Sequence, residues 1–196
     1  MIILFGPAGS GKTTQGRLLA ERFGWKWLSV GQVLRDTGKF DKILKEGGLV
    51  DDMEVIRLMN KEIEKADAEG MNVILDGYPR DIAQANWMFE NDFFDQVDLA
   101  LVLEVPKEEL WKRIEGRGRN DDTEEVVKRR FDVFEQNISS ILPLMESKNV
   151  MIQKVDGVGQ FDDITLRLSS AIEGALGDFE EQDKDMTHGS EKSYGQ

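Results

Sequence analysis

Apolar residues recur along this chain in short unbroken runs, and between the runs they fall three or four positions apart. The runs are Met1–Phe5, Trp25–Leu28, Asn72–Leu75, Leu99–Val105 and Val150–Lys154. Each has the length of a buried strand, and the helical spacing between them supplies crossovers. Strands of this kind alternating with helices pack as a parallel sheet covered on both faces. The pattern therefore predicts an α/β three-layer sandwich on a five-stranded parallel sheet.

The helical stretches carry start signals of their own. Thr14 to Phe23 follows the first run, with Leu18, Leu19 and Phe23 near one face. A longer helix, Thr123 to Met145, holds Val127, Phe131, Phe134, Ile138, Ile141 and Met145 at three-to-four spacing, with Asp122 as N-cap and Glu125 in a capping-box position. Pro106 suits the start of a helix bearing Leu110 and Ile114. Gly31 to Gly70 has room for two or three helices and no strand, which is more than a crossover needs, and reads as an inserted substrate-binding subdomain. From Asp178 onward there is almost nothing to bury, so 178–196 reads as a disordered acidic tail.

Composition narrows the chemistry. At 196 residues the chain suits one domain, and its formal charge of −13 argues against nucleic acid or an anionic membrane as partner. There is no cysteine, which removes disulfides and thiolate zinc ligation. The one histidine, His188, lies in the acidic tail, away from any expected site. A core strand begins at the first residue, leaving no room for a signal peptide, and no apolar run approaches the roughly 20 residues that span a bilayer. A cytoplasmic location is expected.

The most specific string is Gly6-Pro7-Ala8-Gly9-Ser10-Gly11-Lys12-Thr13, placed between a strand and a helix, which satisfies the phosphate-loop pattern at every fixed position. Glycines let successive N–H groups converge on phosphate oxygens, Lys12 adds a mobile charge, a following hydroxyl can reach magnesium, and the helix N-terminus favours an anion. Leu75-Asp76-Gly77-Tyr78-Pro79-Arg80 follows another strand, and ligands in open α/β sheets sit beyond the carboxyl ends of strands. Asp76 can hold a water of hydrated magnesium, and Arg80 can grip a phosphate with its planar fork. A plain turn with a surface ion pair would also use Gly77 and Pro79. Arg113, Arg117 and Arg119, with Arg129 and Arg130 beyond, concentrate positive charge in an acidic protein; a polyphosphate would compensate them, as in part would Asp121 and Asp122.

Taken together and in order, these strings resemble the adenylate kinases of the short-lid type, within the nucleoside monophosphate kinases. The similarity runs from Met1 to about Gly174 through GPAGSGKTTQ at 6–15, LSVGQVLR at 28–35, GGLVDDMEVI at 47–56, LDGYPRDIAQA at 75–85, RIEGRGRNDD at 113–122, VKRRF at 127–131 and KVDG at 154–157. The resemblance implies a phosphate-loop kinase domain over 1–177, with a monophosphate-binding insertion at 31–70 and a very short lid at 117–122. It implies reversible phosphoryl transfer from ATP to AMP with Mg2+, by a monomer, without zinc. It places Gly9, Ser10, Gly11, Lys12, Thr13, Thr14, Arg113 and Arg117 at ATP. Ser29, Val30, Arg35, Leu49, Val50, Gly77, Arg80, Gln84, Arg119 and Arg130 fall at the monophosphate. Lys12, Arg80, Arg117, Arg119 and Arg130 become the catalytic charges, and Asp76, through water, and Thr13 the metal partners. Gln84 would read the adenine edge of AMP, and Arg113 would stack on the adenine of ATP.

Three positions depart from the family pattern. Val30 stands where Thr is usual and Gln32 where Asp is usual, while Thr13 occupies a position that is often Gly, leaving open whether Thr13 or Thr14 faces the metal. Val30 leaves UMP or CMP as alternative acceptors, whereas Gln84 favours AMP because its amide both donates and accepts. A nucleotide-binding sensor with weak catalysis is the rival of another class.

Overall fold

The computed structural model describes residues 1–45, 50–117 and 123–189. In chain order the elements are β1 (Ile2–Phe5), α1 (Lys12–Phe23), β2 (Lys26–Ser29), α2 (Val30–Asp36), α3 (Asp41–Lys45), α4 (Asp52–Ala68), β3 (Val73–Asp76), α5 (Ile82–Glu90), β4 (Leu99–Glu104), α6 (Lys107–Arg117), α7 (Glu124–Ser147), β5 (Met151–Asp156) and α8 (Phe161–Gly189). All strand pairs are parallel, in the order β2-β3-β1-β4-β5. The expected five-stranded sheet is present, with each strand shifted by a residue or two from its apolar run.

The sheet separates two cores by the period of two along each strand. Ile3, Phe5, Val73, Leu75, Ala100 and Val102 face one core with α2, α4, α5 and α7. Ile2, Leu4, Ile74, Leu99, Leu101 and Leu103 face the other, against α1 and α8. Leu110 and Ile114 of α6 meet Val127 and Phe131 of α7 in a smaller cluster that also holds Ala8 of the phosphate loop. The chain leaves β1 for β2 on one side and later passes to β4 on the other, so the loop after β1 opens where the strand order reverses, the usual ligand crevice of such sheets.

Several local expectations are corrected. The N-cap of α7 is Thr123, whose hydroxyl accepts from the Val126 N–H at 3.4 Å; Asp122 lies outside the described residues. Pro106 does stand at the start of α6, as expected, and its carbonyl accepts from the N–H groups of Glu109 and Leu110. Leu18 is exposed, because α1 turns Gln15, Gly16, Leu19 and Ala20 inward instead. The segment 178–189, expected as an unstructured tail, continues α8 as helix, while 190–196 lies outside the described residues. Its Glu, Gln, Lys and Met residues favour helix, and extending an existing helix avoids the cost of nucleation. In 31–70 the two or three expected helices are α2, α3 and α4. The apolar face of α4, with Val55, Ile56, Met59 and Ile63, joins the main core.

Candidate active site

The phosphate loop is shaped by its glycines and by α6. Gly9 and Gly11 have φ of +81° and +91°, a region that side chains rarely tolerate. A Cβ on Gly9 would lie 2.9 Å from Ile114 Cγ1 and 3.0 Å from the Leu110 carbonyl oxygen, so α6 rests directly on the loop. Ser10 is 1% exposed, and its hydroxyl has no hydrogen-bond partner among the described residues. Such an orphaned buried group fits a loop shaped for an anion. Lys12 opens α1, and its Nζ donates to the Pro7 carbonyl at 3.4 Å.

Of the two threonines, both exposed, it is Thr13 that faces the carboxylate: its Oγ1 donates to Asp76 Oδ2 at 2.7 Å. Asp76, at the carboxyl end of β3, is 2% exposed and pairs in register with Leu4 and Ser29. A hydroxyl and a carboxylate side by side are the hard oxygen donors magnesium prefers, in a number that leaves its other positions to water and phosphate. Among the described residues no cluster of three or more His, Cys, Asp or Glu side chains is arranged to cage a metal.

Past Asp76 the chain turns through Gly77, at φ +72°, and Arg80 Nε donates back to the Gly77 carbonyl at 3.0 Å. A point one Cβ above Gly31 lies 3.7 Å from Arg35 Nη2 and 3.8 Å from Arg80 Nη2, so two guanidiniums from different elements converge. Arg80 stays charged but is pulled below the ordinary arginine pKa by surrounding protein and by Arg35, against the opposing pull of Asp76 and Asp81. Gln32 sits beside this pair: its carbonyl accepts from Arg35 Nη2 at 3.1 Å and its amide donates to Asp36 Oδ1 at 2.7 Å.

Gln84 is 3% exposed and held at both ends of its amide. The Arg80 N–H donates to Oε1 at 2.9 Å, and Nε2 donates to Asp52 Oδ1 at 2.8 Å. Asp81 caps α5 by accepting from the Gln84 N–H at 2.9 Å. Burial, followed by the negative charge of Asp52, holds the Asp81 carboxyl above the ordinary range. Ser29 is buried and opens α2 without a side-chain capping bond. Val30 is 1% exposed within the main core, and Val50 packs on that core from its edge. Leu49 lies outside the described residues.

Arg113 ties three segments together. Its Nε donates to Glu109 Oε1 at 2.9 Å, Nη1 to the Ser10 carbonyl at 3.3 Å and Nη2 to the Gly157 carbonyl at 3.0 Å, joining α6, the phosphate loop and the turn after β5. Arg130 is half-buried on α7, next to Phe131 of the small cluster; Arg117 ends α6, and Arg119 lies outside the described residues. Gln15 closes the 6–15 string, which gave it no role. Its amide donates to the Phe161 carbonyl at 3.0 Å and its oxygen accepts from Thr165 Oγ1 at 2.7 Å, locking α1 to α8 behind the loop.

The comparisons agree with this geometry. A profile of the adenylate kinase family matches residues 4–150. An adenylate kinase of Maricaulis maris is 38% identical over 88% of this chain and 98% of its own length. Adenylate kinases of Mycolicibacterium vanbaalenii and Thermus thermophilus are 36% and 34% identical, each over 87% of this chain, across 98% and 96% of their own lengths. With a phosphate loop, a strand-end aspartate and paired arginines on one edge of a parallel sheet, this chain belongs to the adenylate kinase family.

Proposed function

We propose that this member of the adenylate kinase family moves the terminal phosphoryl group of magnesium-bound ATP to AMP, giving two ADP, with the residue roles that follow. The observation that carries the assignment of roles is the convergence of Arg35 and Arg80 at Gly31, with Thr13 bonded to Asp76 at the end of β3. Two cations crowded against each other in one place have a physical purpose when a dianion sits between them. Arg35 and Arg80 grip the monophosphate, and the N–H groups from Gly9 to Thr14, with Lys12, hold the phosphates of ATP. Magnesium, held by Thr13 and through water by Asp76, would neutralise charge on the phosphate oxygens.

Phosphoryl transfer asks the protein for alignment and positive charge rather than for covalent chemistry. Lys12 and Arg80, joined by Arg117, Arg119 and Arg130 from the region around the 117–122 lid, stabilise the charge that spreads over the equatorial oxygens. The 31–70 segment closes over AMP, with Ser29 and Val30 just before it and Leu49 and Val50 within it belonging to the monophosphate site. The lid closes over ATP and keeps water away from the transferred group. Arg113 borders the ATP base from α6. The reading includes action as a monomer in the cytoplasm; among the described residues no helix is long and apolar enough to cross a membrane.

A coupled assay offering ATP with AMP, CMP, UMP or GMP tests the reading. AMP is expected to be consumed fastest. Faster turnover of CMP or UMP would assign the chain to pyrimidine monophosphates, and ATP binding without any phosphorylated acceptor would make it a sensor.

A further inference from the structure

We infer that Asp52 is a specificity-determining positioning residue, which sets the rotamer of the Gln84 amide and so decides which base edge the monophosphate site accepts. The inference rests on the proposed role of Gln84 as reader of the AMP base. It begins with two hydrogen bonds that leave the amide one orientation. The Arg80 N–H can only donate, and it meets Oε1 at 2.9 Å; the Asp52 carboxylate, when ionised, can only accept, and it meets Nε2 at 2.8 Å. Flipping the amide by half a turn would set N–H against N–H and oxygen against carboxylate. Without Asp52 one of those two penalties disappears, and the flipped form becomes accessible.

Orientation matters because each end of an amide has a second valence. With the first N–H on Asp52 and the first lone pair on Arg80, Gln84 keeps one donor and one acceptor, in a fixed order. Adenine presents an acceptor at N1 beside a donor at its 6-amino group. Hypoxanthine presents the reverse, a donor at N1 beside an acceptor at O6. A locked amide matches the first pattern and opposes the second, whereas an amide free to flip serves both. Gln84 is 3% exposed, so little water is available to repair a mismatch there, and unpaired polar groups in dry sites give the largest discrimination. Asp52 comes from α4 and Gln84 from α5, so the bond also ties the edge of the 31–70 segment to the strand-end turn that carries Arg80.

The test is the ratio of kcat/KM for AMP over IMP, measured with saturating ATP in wild type, Asp52→Ala, Asp52→Asn and Gln84→Ala. Asp52→Ala should lower the ratio by about tenfold or more, the scale of one misdirected buried hydrogen bond, chiefly through a gain for IMP. Asp52→Asn can turn either an oxygen or an N–H toward the amide, removes the same penalty on the flipped form, and should lower the ratio in the same direction. Gln84→Ala should abolish the preference altogether. If Gln84→Ala leaves the ratio unchanged, the reading of Gln84 itself fails and the inference falls with it. If Gln84→Ala collapses the ratio and Asp52→Ala does not, Gln84 reads the base and the role given to Asp52 is wrong. A general loss of folding in Asp52→Ala would lower both rates together and leave the ratio intact, which also counts against the inference.

Discussion

Replacing Arg80 by Ala separates function from stability because the attractions and repulsions on this charge offset one another. Arg35 and Arg80 each reach within 4 Å of one point above Gly31, at 3.7 and 3.8 Å, so these nitrogens are at most about 7 to 8 Å apart. At a working separation of about 7 Å two like charges repel by about 0.6 kcal/mol in bulk water and about 2.4 kcal/mol at an effective dielectric constant of ~20. Arg80 keeps solvent contact, so the lower half of that range applies, and its attraction to Asp76, which outweighs the repulsion from Arg35, together with that to Asp81 offsets it. The R80A protein should therefore melt within about 2–4 °C of the wild-type temperature, since about 1 kcal/mol corresponds to that shift at this size. Its kcat/KM for AMP, followed by coupled oxidation of NADH on ADP formation, should fall by about 100- to 1,000-fold, the scale for losing one group aimed at developing charge. A drop in melting temperature beyond about 5 °C would show Arg80 to be a structural ion-pair partner. A loss of activity under about tenfold would remove it from the transition state.

Other substitutions probe the loop, the metal partners and the capping carboxylate. Gly9→Ala forces a side chain into φ +81° and against the Leu110 carbonyl oxygen at 3.0 Å, costing about 2–4 kcal/mol. Calorimetry should show a lower melting temperature together with weakened ATP binding, and normal values of both would refute the packing of α6 on the loop. Thr13→Val removes the donor to Asp76 at 2.7 Å and should raise the magnesium concentration for half-maximal rate several-fold, with Thr13→Ser restoring it; an unchanged magnesium requirement would move the role to Thr14. Asp81→Asn keeps the cap oxygen of α5 but removes a carboxylate whose folded pKa is raised by burial and by Asp52. A raised carboxyl favours folding when protonated at low pH, and that contribution is lost as pH rises through the folded value. The Asn variant should thus be the more stable protein at neutral pH, and its advantage should shrink as pH falls through the carboxylate range; a gap independent of pH would refute the argument.

Features that depend on neighbours along the chain were legible before any coordinates. Apolar runs such as Leu99–Val105 and the glycines at 9 and 11 encode burial and backbone freedom within a few residues, so strands, phosphate loop and parallel sheet could all be anticipated. Even locally, near-equivalent groups competed: Asp122 and Thr123 are both good caps, and Thr13 and Thr14 both carry hydroxyls, so spacing alone could not choose between them. The partners that orient the site are distant in sequence. Thr13 meets Asp76, Gln84 meets Asp52, and Arg113 meets Gly157, 63, 32 and 44 residues apart, only because the strand order β2-β3-β1-β4-β5 brings these elements together along one edge of the sheet. Periodicity states which face of an element is apolar; it carries no information on which polar groups two packed elements will bring within hydrogen-bond reach, and that choice belongs to the packed sheet and helices.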